Sequence, residues 1–350
     1  MAHTYNNLFD QVYSFQNLFK AYLKARKNKR YKEDVLLFTA NLEENLIQLQ
    51  NELIYKTYKP GSYREFYVYD PKTRLVMAAP FRDRVLHHAL CNVIEPIYER
   101  MFIYHSFACR KGKGTHAGVE CTGEFLRKAM RKYGTVYCFK ADVSKYFQSI
   151  SHNVLRAILR RKISCKDTLW LIDTIISSTS QEGDINPIGL PVGNLTSQLF
   201  ANVYLNELDY YMKHTKRNEF YIRYMDDFLV FHPDKHYLQA LWKETAVFLQ
   251  DELALRLNQK TAIFPISQGV DFLGYRIWPR RKILRKGSVK RIKRIVKKFD
   301  REYRAKNISI DKVRAVLASW LGHAKRADVP ILRQKILSKA HETFGLKGLR

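Results

Sequence analysis

Apolar residues recur at helical spacing over 6–27, where Leu8, Phe9, Val12, Phe15, Phe19, Tyr22 and Leu23 share a side. The pattern repeats over 33–54 with Val35, Leu36, Leu42, Leu46, Ile47 and Leu53. Each stretch predicts one helix, and the basic run KARKNKRYK joins them. Lys59-Pro60-Gly61 ends the second. The period then shortens. SYREFYVYD (62–70) reads as a strand, Pro71-Lys72-Thr73 as a turn and LVMAA (75–79) as the return, so a hairpin is expected. A helix over 81–99, a Gly/Lys-rich loop over 109–118 and a further helix lead to a strand at TVYCFKAD (135–142). Helices follow at 153–162 and 166–179, then a Gly/Pro-containing loop (183–194) and a helix (196–213). Two strands flank Asp226-Asp227, a helix covers 236–254, and single strands are expected at TAIFPIS and DFLGYRIW. The last 65 or so residues read as helices. Strands in the middle and helices at both ends predict an α+β fold rather than a doubly wound sheet.

Charge sharpens this picture. The 350 residues carry 61 Lys+Arg against 33 Asp+Glu, a net charge of +28, with 46% hydrophobic residues. That apolar content excludes a disordered basic tail. Such an excess of cations points to a polyanion, because neutralising phosphates releases counterions. The 22 Tyr and 20 Phe suit stacking on bases and sugars. No uncharged apolar run approaches the roughly 18 residues of a membrane span. The first residues lack the basic-then-apolar signal-peptide pattern. Five Cys without a CxxC argue against a disulfide framework and a zinc knuckle. A reduced, cytoplasmic setting is the expectation.

Three acids carry the chemistry. Asp142 ends an apolar strand, and Asp226 and Asp227 lie between EFYIRY and FLVFH, where a tight turn is expected. Paired carboxylates at a strand tip repel unless a cation neutralises them. With the two strands adjacent, all three acids would converge and suit two Mg²⁺ ions roughly 3.5–4 Å apart. The Gly/Lys loop lacks the GK[ST] of a phosphate-binding P-loop, which excludes an ATPase of that type. Pro233 interrupts any helix that would align His232 with His236 as ligands.

YMDD (224–227), preceded by CFKADVSKYFQSI (138–150), resembles the paired motifs of reverse transcriptases. The resemblance extends, in family order, through DPKTRLVMAAPFRDRVLHHAL (70–90), SFACRKGKGTHAG (106–118), GLPVGNLTSQLFANVYLNELD (189–209), LNQKT (257–261) and FLGY (272–275). It implies a right-hand polymerase of fingers, palm and thumb around an antiparallel palm sheet. The corresponding divisions are an N-terminal helical extension (1–60), fingers (61–134), palm (135–285, with a fingers segment at about 153–185) and a helical thumb (286–350). Within the family, VGNLTSQ (192–198) is similar to the diversity-generating retroelement group, where most other relatives open with Gln-Gly and close with Ser-Pro.

The resemblance implies Asp142 and Asp226 as principal metal ligands, Asp227 as a supporting acid and the Val143 carbonyl as a further ligand. Phe147, five residues after Asp142, would sit under the incoming sugar and exclude a 2′-hydroxyl; ordinary core packing is the alternative. Arg74 and Arg110 would neutralise the dNTP triphosphate. Arg82 and Arg84 would do the same or form ion pairs with Asp83 or Glu99. Gly193 and Val192 would lie beside the nascent base pair, the glycine allowing close backbone approach. Val192 cannot supply the hydrogen bonds of the usual Gln, which fits the group's adenine-selective infidelity; plain packing is the alternative. Lys260 would protonate the leaving pyrophosphate or simply face solvent. Lys290, Lys293, Arg294 and Lys297, opposite a stripe of Val289, Ile292, Val296, Phe299 and Tyr303, would follow the template RNA–cDNA hybrid by shape or form a solvated basic face.

The implied function is an RNA-directed DNA polymerase, prokaryotic or phage-encoded, that copies a template-repeat RNA into adenine-mutagenised cDNA. A small basic accessory protein is the expected partner, with residues 6–54 a candidate contact for it or for RNA. The rival readings are a retron, group II-derived or defence reverse transcriptase, an RNA-dependent RNA polymerase, and a catalytically silent RNA-binding protein.

Overall fold

The computed structural model describes residues 4–69, 73–180 and 183–346. Both N-terminal helices are divided. Ser14, with ψ at 134°, leaves the helical region and its hydroxyl accepts the Asn17 amide, so the first stretch becomes α1 (Phe9–Tyr13) and α2 (Phe15–Ala25). Asn41 breaks the second into α3 (Glu33–Ala40) and α4 (Leu42–Ile54). The break also changes which residues are covered. α2 buries Leu18, Ala21, Tyr22 and Ala25, while Phe15, Phe19 and Leu23 of the expected stripe stay exposed.

β1 (Arg64–Val68) and β2 (Arg74–Ala78) form the expected antiparallel hairpin, with Arg64 opposite Ala78 and Val68 opposite Arg74. Asp70, Pro71 and Lys72 of its turn lie outside the described residues. α5 (Phe81–Glu99) has the expected bounds and is followed by α6 (Thr115–Tyr133) and β3 (Tyr137–Asp142). Next come α7 (Tyr146–Ser149), α8 (His152–Arg160), α9 (Lys166–Ser177) and α10 (Leu195–Tyr210), the last running into a π-helical turn over 211–215. β4 (Tyr221–Tyr224), β5 (Asp227–His232), α11 (Lys235–Leu253) and β6 (Ala262–Pro265) complete the central region. DFLGYRIW is not one strand. Leu273 at φ +50° and Gly274 at φ +88° fold it into β7 (Val270–Phe272) and β8 (Tyr275–Ile277). β9 (Lys282–Leu284), which has no counterpart among the expected elements, pairs with β8. α12 (Lys286–Arg304), α13 (Ile310–Ala324) and α14 (Pro330–Phe344) close the chain.

The strands make three sheets: β1-β2, β4-β5-β3-β6 and β7-β8-β9. The mixture of helices and antiparallel sheet is the expected α+β class. The adjacency that matters is β5 beside β3, because it brings the ends of the acidic strands to neighbouring positions.

The chain divides into two compact units. The first comprises 1–114, 140–229 and 239–262; the second comprises 115–139, 230–238 and 263–350. In the first, α5 packs against α2 and α10, and Val85, Leu86, Ala89, Leu90 and Ile94 of α5 are fully or almost fully covered. In the second, Ile292, Val296 and Phe299 of α12 pack with Val313, Leu317, Ile336 and Phe344. Covering such side chains is worth about 1.5–3 kcal/mol each. The cysteines are free thiols. Among the described residues, no helix is long and apolar enough to cross a membrane.

Candidate active site

Three backbone segments of the first unit are tied together around the acids. The Val143 amide donates to the Asp226 carbonyl at 3.2 Å, and the Asn258 amide donates to the Asp142 carbonyl at 2.8 Å. Ser144 donates to the Arg256 carbonyl at 2.8 Å, and Val143 forms an antiparallel bridge with Leu257. The end of β3 is thus held by the 225–226 turn on one side and by the LNQKT segment on the other. Met225 turns the chain at φ +56°, a left-handed conformation that costs a non-glycine residue about 1–2 kcal/mol.

That geometry brings Asp142 and Asp226 together. Burial pushes the Asp226 carboxyl above the usual range, and the charge of Asp142 adds to the rise. Its own backbone amide, Arg74 and Arg223 oppose it. Asp227 is the first residue of β5, directly after Asp226 of the turn. Its Oδ2 lies 4.0 Å from Lys140 Nζ. Among the described residues, no group of three or more His, Cys, Asp or Glu side chains is gathered closely enough to hold an ion. Of the four expected ligands, Asp142 and Asp226 interact directly, Val143 is tied to Asp226 through its backbone amide, and Asp227 follows Asp226 in the chain. Two hard-oxygen donors that repel each other in a partly buried setting fit a divalent cation such as Mg²⁺.

The cationic candidates separate. Arg74 is exposed at the start of β2, and its charge reaches Asp226. Arg110 is corrected. Its side chain is 6% exposed, and it donates to Glu99 at 2.6–3.0 Å and to the Ile103 and Ser106 carbonyls at 2.7 and 2.8 Å. A guanidinium so committed shapes the 103–106 segment and leaves little for a triphosphate. Arg82 pairs with Glu52, with Asp83 at 3.7 Å, and Arg84 pairs with Asp34. For these two the ion-pair alternative holds, with Glu52 and Asp34 as partners that the sequence reading did not name.

Phe147 is half-buried on α7, and its carbonyl accepts the Leu190 amide at 2.7 Å, so the 189–194 loop is docked on it. Val192 is also half-buried, and its carbonyl accepts the Met77 amide at 3.0 Å. Gly193 has φ +126°, and a Cβ there would lie 3.1 Å from Val76 Cγ1 and 3.3 Å from the Met77 carbonyl. The close approach that requires glycine is thus to β2. Lys260 is exposed, and its amide donates to Asn258 Oδ1 at 3.0 Å. In the second unit, Lys290, Lys293, Arg294 and Lys297 are exposed on α12, opposite the buried Ile292, Val296 and Phe299. Val289 is half-buried, and Tyr303 sits at the rim against Phe344, ring centres 5.5 Å apart.

Sequence reasoning missed an ion pair next to the turn. Arg223 and Asp209 have fully buried side chains. Arg223 Nε and Nη2 donate to the two Asp209 oxygens at 2.7 and 2.5 Å. Its Nη1 donates to the Met225 carbonyl at 2.9 Å and to Asn202 Oδ1 at 3.3 Å. Burial alone would push the guanidinium pKa down; Asp209 reverses this and holds it above its ordinary value. The available signal was an Arg inside the apolar run EFYIRYM and an Asp closing an apolar helix, since buried charges require partners.

Residues 59–277 match the family described as Reverse transcriptase (RNA-dependent DNA polymerase). The chain is 27% identical over 287 residues to Protein YkfC of Escherichia coli (strain K12), covering 70% of this chain and 74% of that protein. It is 24% identical over 321 residues to the group II intron-encoded protein LtrA of Lactococcus lactis subsp. cremoris, covering 71% of this chain and 52% of LtrA. It therefore spans about three quarters of the first relative and about half of the second. Among solved structures, apo telomerase from Candida tropicalis, truncated from its C-terminal domain, aligns at a TM-score of 0.49 and 11% identity over 67% of this chain and 59% of that chain.

Proposed function

Because this chain belongs to the reverse transcriptase family of RNA-directed DNA polymerases, we propose that it extends a primer on template RNA where Asp226 meets Asp142. The observation that carries this is the Asp142–Asp226 carboxylate pair, formed where the Val143–Asp226 hydrogen bond fastens the β4–β5 turn to the end of β3. In this reading 61–134 serve as fingers, 135–285 as palm with a fingers segment at about 153–185, 286–350 as thumb and 1–60 as an N-terminal extension.

Asp142 and Asp226, joined by Asp227 and the Val143 carbonyl, would hold two Mg²⁺ ions. When bound, these ions supply positive charge for the 3′-hydroxyl and the departing pyrophosphate. The chain's own groups do the remaining work. Arg74 neutralises triphosphate charge from β2. The Phe147 ring closes the space a ribose 2′-hydroxyl needs and so selects dNTP over NTP. Val192 and Gly193 face the new base pair from a loop held on β2, and Lys260 carries a proton near the leaving group. Lys290, Lys293, Arg294 and Lys297 lay positive charge along the RNA–cDNA hybrid without reading its sequence.

The finer reading is a diversity-generating retroelement enzyme that makes adenine-mutagenised cDNA from a template-repeat RNA, with a small basic accessory protein. The VGNLTSQ loop supports it, because Val192 lacks the amide with which a Gln would check base-pair geometry. The similarity to LtrA supports a second reading, a group II-derived reverse transcriptase. Primer extension on RNA with dNTPs and with NTPs, followed by sequencing of the products, separates them. Errors concentrated opposite template adenine support the first reading, and evenly spread errors support the second. Extension only with NTPs would contradict both.

A further inference from the structure

The buried Arg223–Asp209 pair has no part in the chemistry above, yet it reaches the residue next to Asp226. As cohesion alone, an ion pair in the core is poorly suited, since a well-packed apolar pair serves as well or better. What an apolar pair cannot do is donate to the Met225 carbonyl, which Arg223 Nη1 does at 2.9 Å. Met225 is the left-handed residue of the turn, and its conformation persists only where the surroundings impose it.

Arg223 is itself held from every side. Its backbone amide donates to the His105 carbonyl at 2.9 Å, and its carbonyl accepts the Phe107 amide at 3.0 Å. The Ile103 and Ser106 carbonyls are fixed in turn by Arg110. Tyr221 Oη donates to Asp209 Oδ1 at 2.7 Å. Asn202, which accepts from Arg223, is oriented by its own donation to the Ala108 carbonyl at 2.8 Å. The guanidinium therefore presents one fixed donor to the turn.

We infer that Arg223, braced by Asp209, is a positioning residue that sets the 225–226 turn and so the placement of the Asp226 carboxylate against Asp142. The inference rests on the reading of Asp226 as a reaction-site carboxylate.

The test uses the full chain, with Arg223→Lys and the paired apolar replacement Arg223→Met with Asp209→Leu. The paired variant leaves no orphaned buried charge, so its fold is expected to survive. The measurements are Tm, the rise in Tm on adding Mg²⁺, and kcat and KM for dNTP per titrated active site. The expected result is a paired variant with near-parental Tm and a KM within about threefold. Its kcat should fall about 100-fold, as for a reacting group displaced by about 1 Å, and its Mg²⁺-dependent rise in Tm should shrink. Arg223→Lys keeps the charge but loses the fork, and should show the same loss of kcat among its folded molecules. Parental kcat per folded molecule in either variant overturns the inference. An active Asp226→Asn would instead overturn the underlying reading, whereas an inactive Asp226→Asn beside fully active Arg223 variants would sink the positioning role alone.

Discussion

Two hairpins of similar size sit in opposite surroundings. β1–β2 exposes every residue of β1, with Tyr67 57% and Phe66 41% accessible. β4–β5 is covered along most of its length, and Tyr221, Ile222, Arg223, Phe228, Leu229 and Val230 are at 0%. Both carry a residue that the proposed function places in the reaction: Arg74 on the first, Asp226 on the turn of the second. Under that proposal, the difference divides two tasks. A carboxylate that must meet another carboxylate has to be fixed against repulsion, so its turn is built on covered strands and a braced guanidinium. A cation that meets a mobile triphosphate acts through charge at longer range and tolerates an open strand. The described links from β2 to the 189–194 loop are the Met77–Val192 hydrogen bond and the close seat of Gly193.

Substitutions can break this contrast. The largest effect is expected for Asp142→Asn, with primer extension reduced at least about 10³-fold and Tm not lowered, since a repelling charge is removed. Phe228→Ala in β5 should cost about 3–5 kcal/mol in denaturant unfolding by opening a cavity under the turn. Arg74→Ala should lower kcat/KM for dNTP about tenfold, a loss of about 1.4 kcal/mol, without moving Tm. A large fall in Tm there would show that the open hairpin is structural after all. Val192→Gln should reduce errors opposite template adenine a few-fold in sequenced products and leave the extension rate unchanged. The smallest effect is expected for Tyr67→Ala, which should stay within about 0.5 kcal/mol in stability because more than half of the residue is exposed.

The same contrast explains what the sequence could reveal. Asp142 and Asp226 were legible because a carboxylate at the end of an apolar run is a local pattern, and α5 was legible because its apolar residues recur along the expected span. The breaks at Ser14 and Asn41 were not, since the apolar spacing continues through both while these two residues leave the helical backbone region. The β7–β8 turn was hidden because Leu273 gives no sign of a positive φ. Arg110 and Arg74 look alike in sequence. Only the fold surrounds the first with Glu99 and two carbonyls and leaves the second open. Asp209 and Arg223, fourteen residues apart, become partners only where the fold brings the end of α10 within hydrogen-bond reach of β4. Asp227 was legible as an acid, but its facing toward Lys140 depends on where β5 begins.

The most direct test of the central claim is Asp226→Asn, read by primer extension on RNA and by thermal unfolding with and without Mg²⁺. Burial and Asp142 raise the Asp226 carboxyl in the folded chain, so above the ordinary carboxylate range its ionised form opposes folding. At neutral pH the Asn variant should therefore melt higher than the parent, lose extension and respond less to Mg²⁺. Sustained extension by that variant, with an undiminished response to Mg²⁺, would contradict the account.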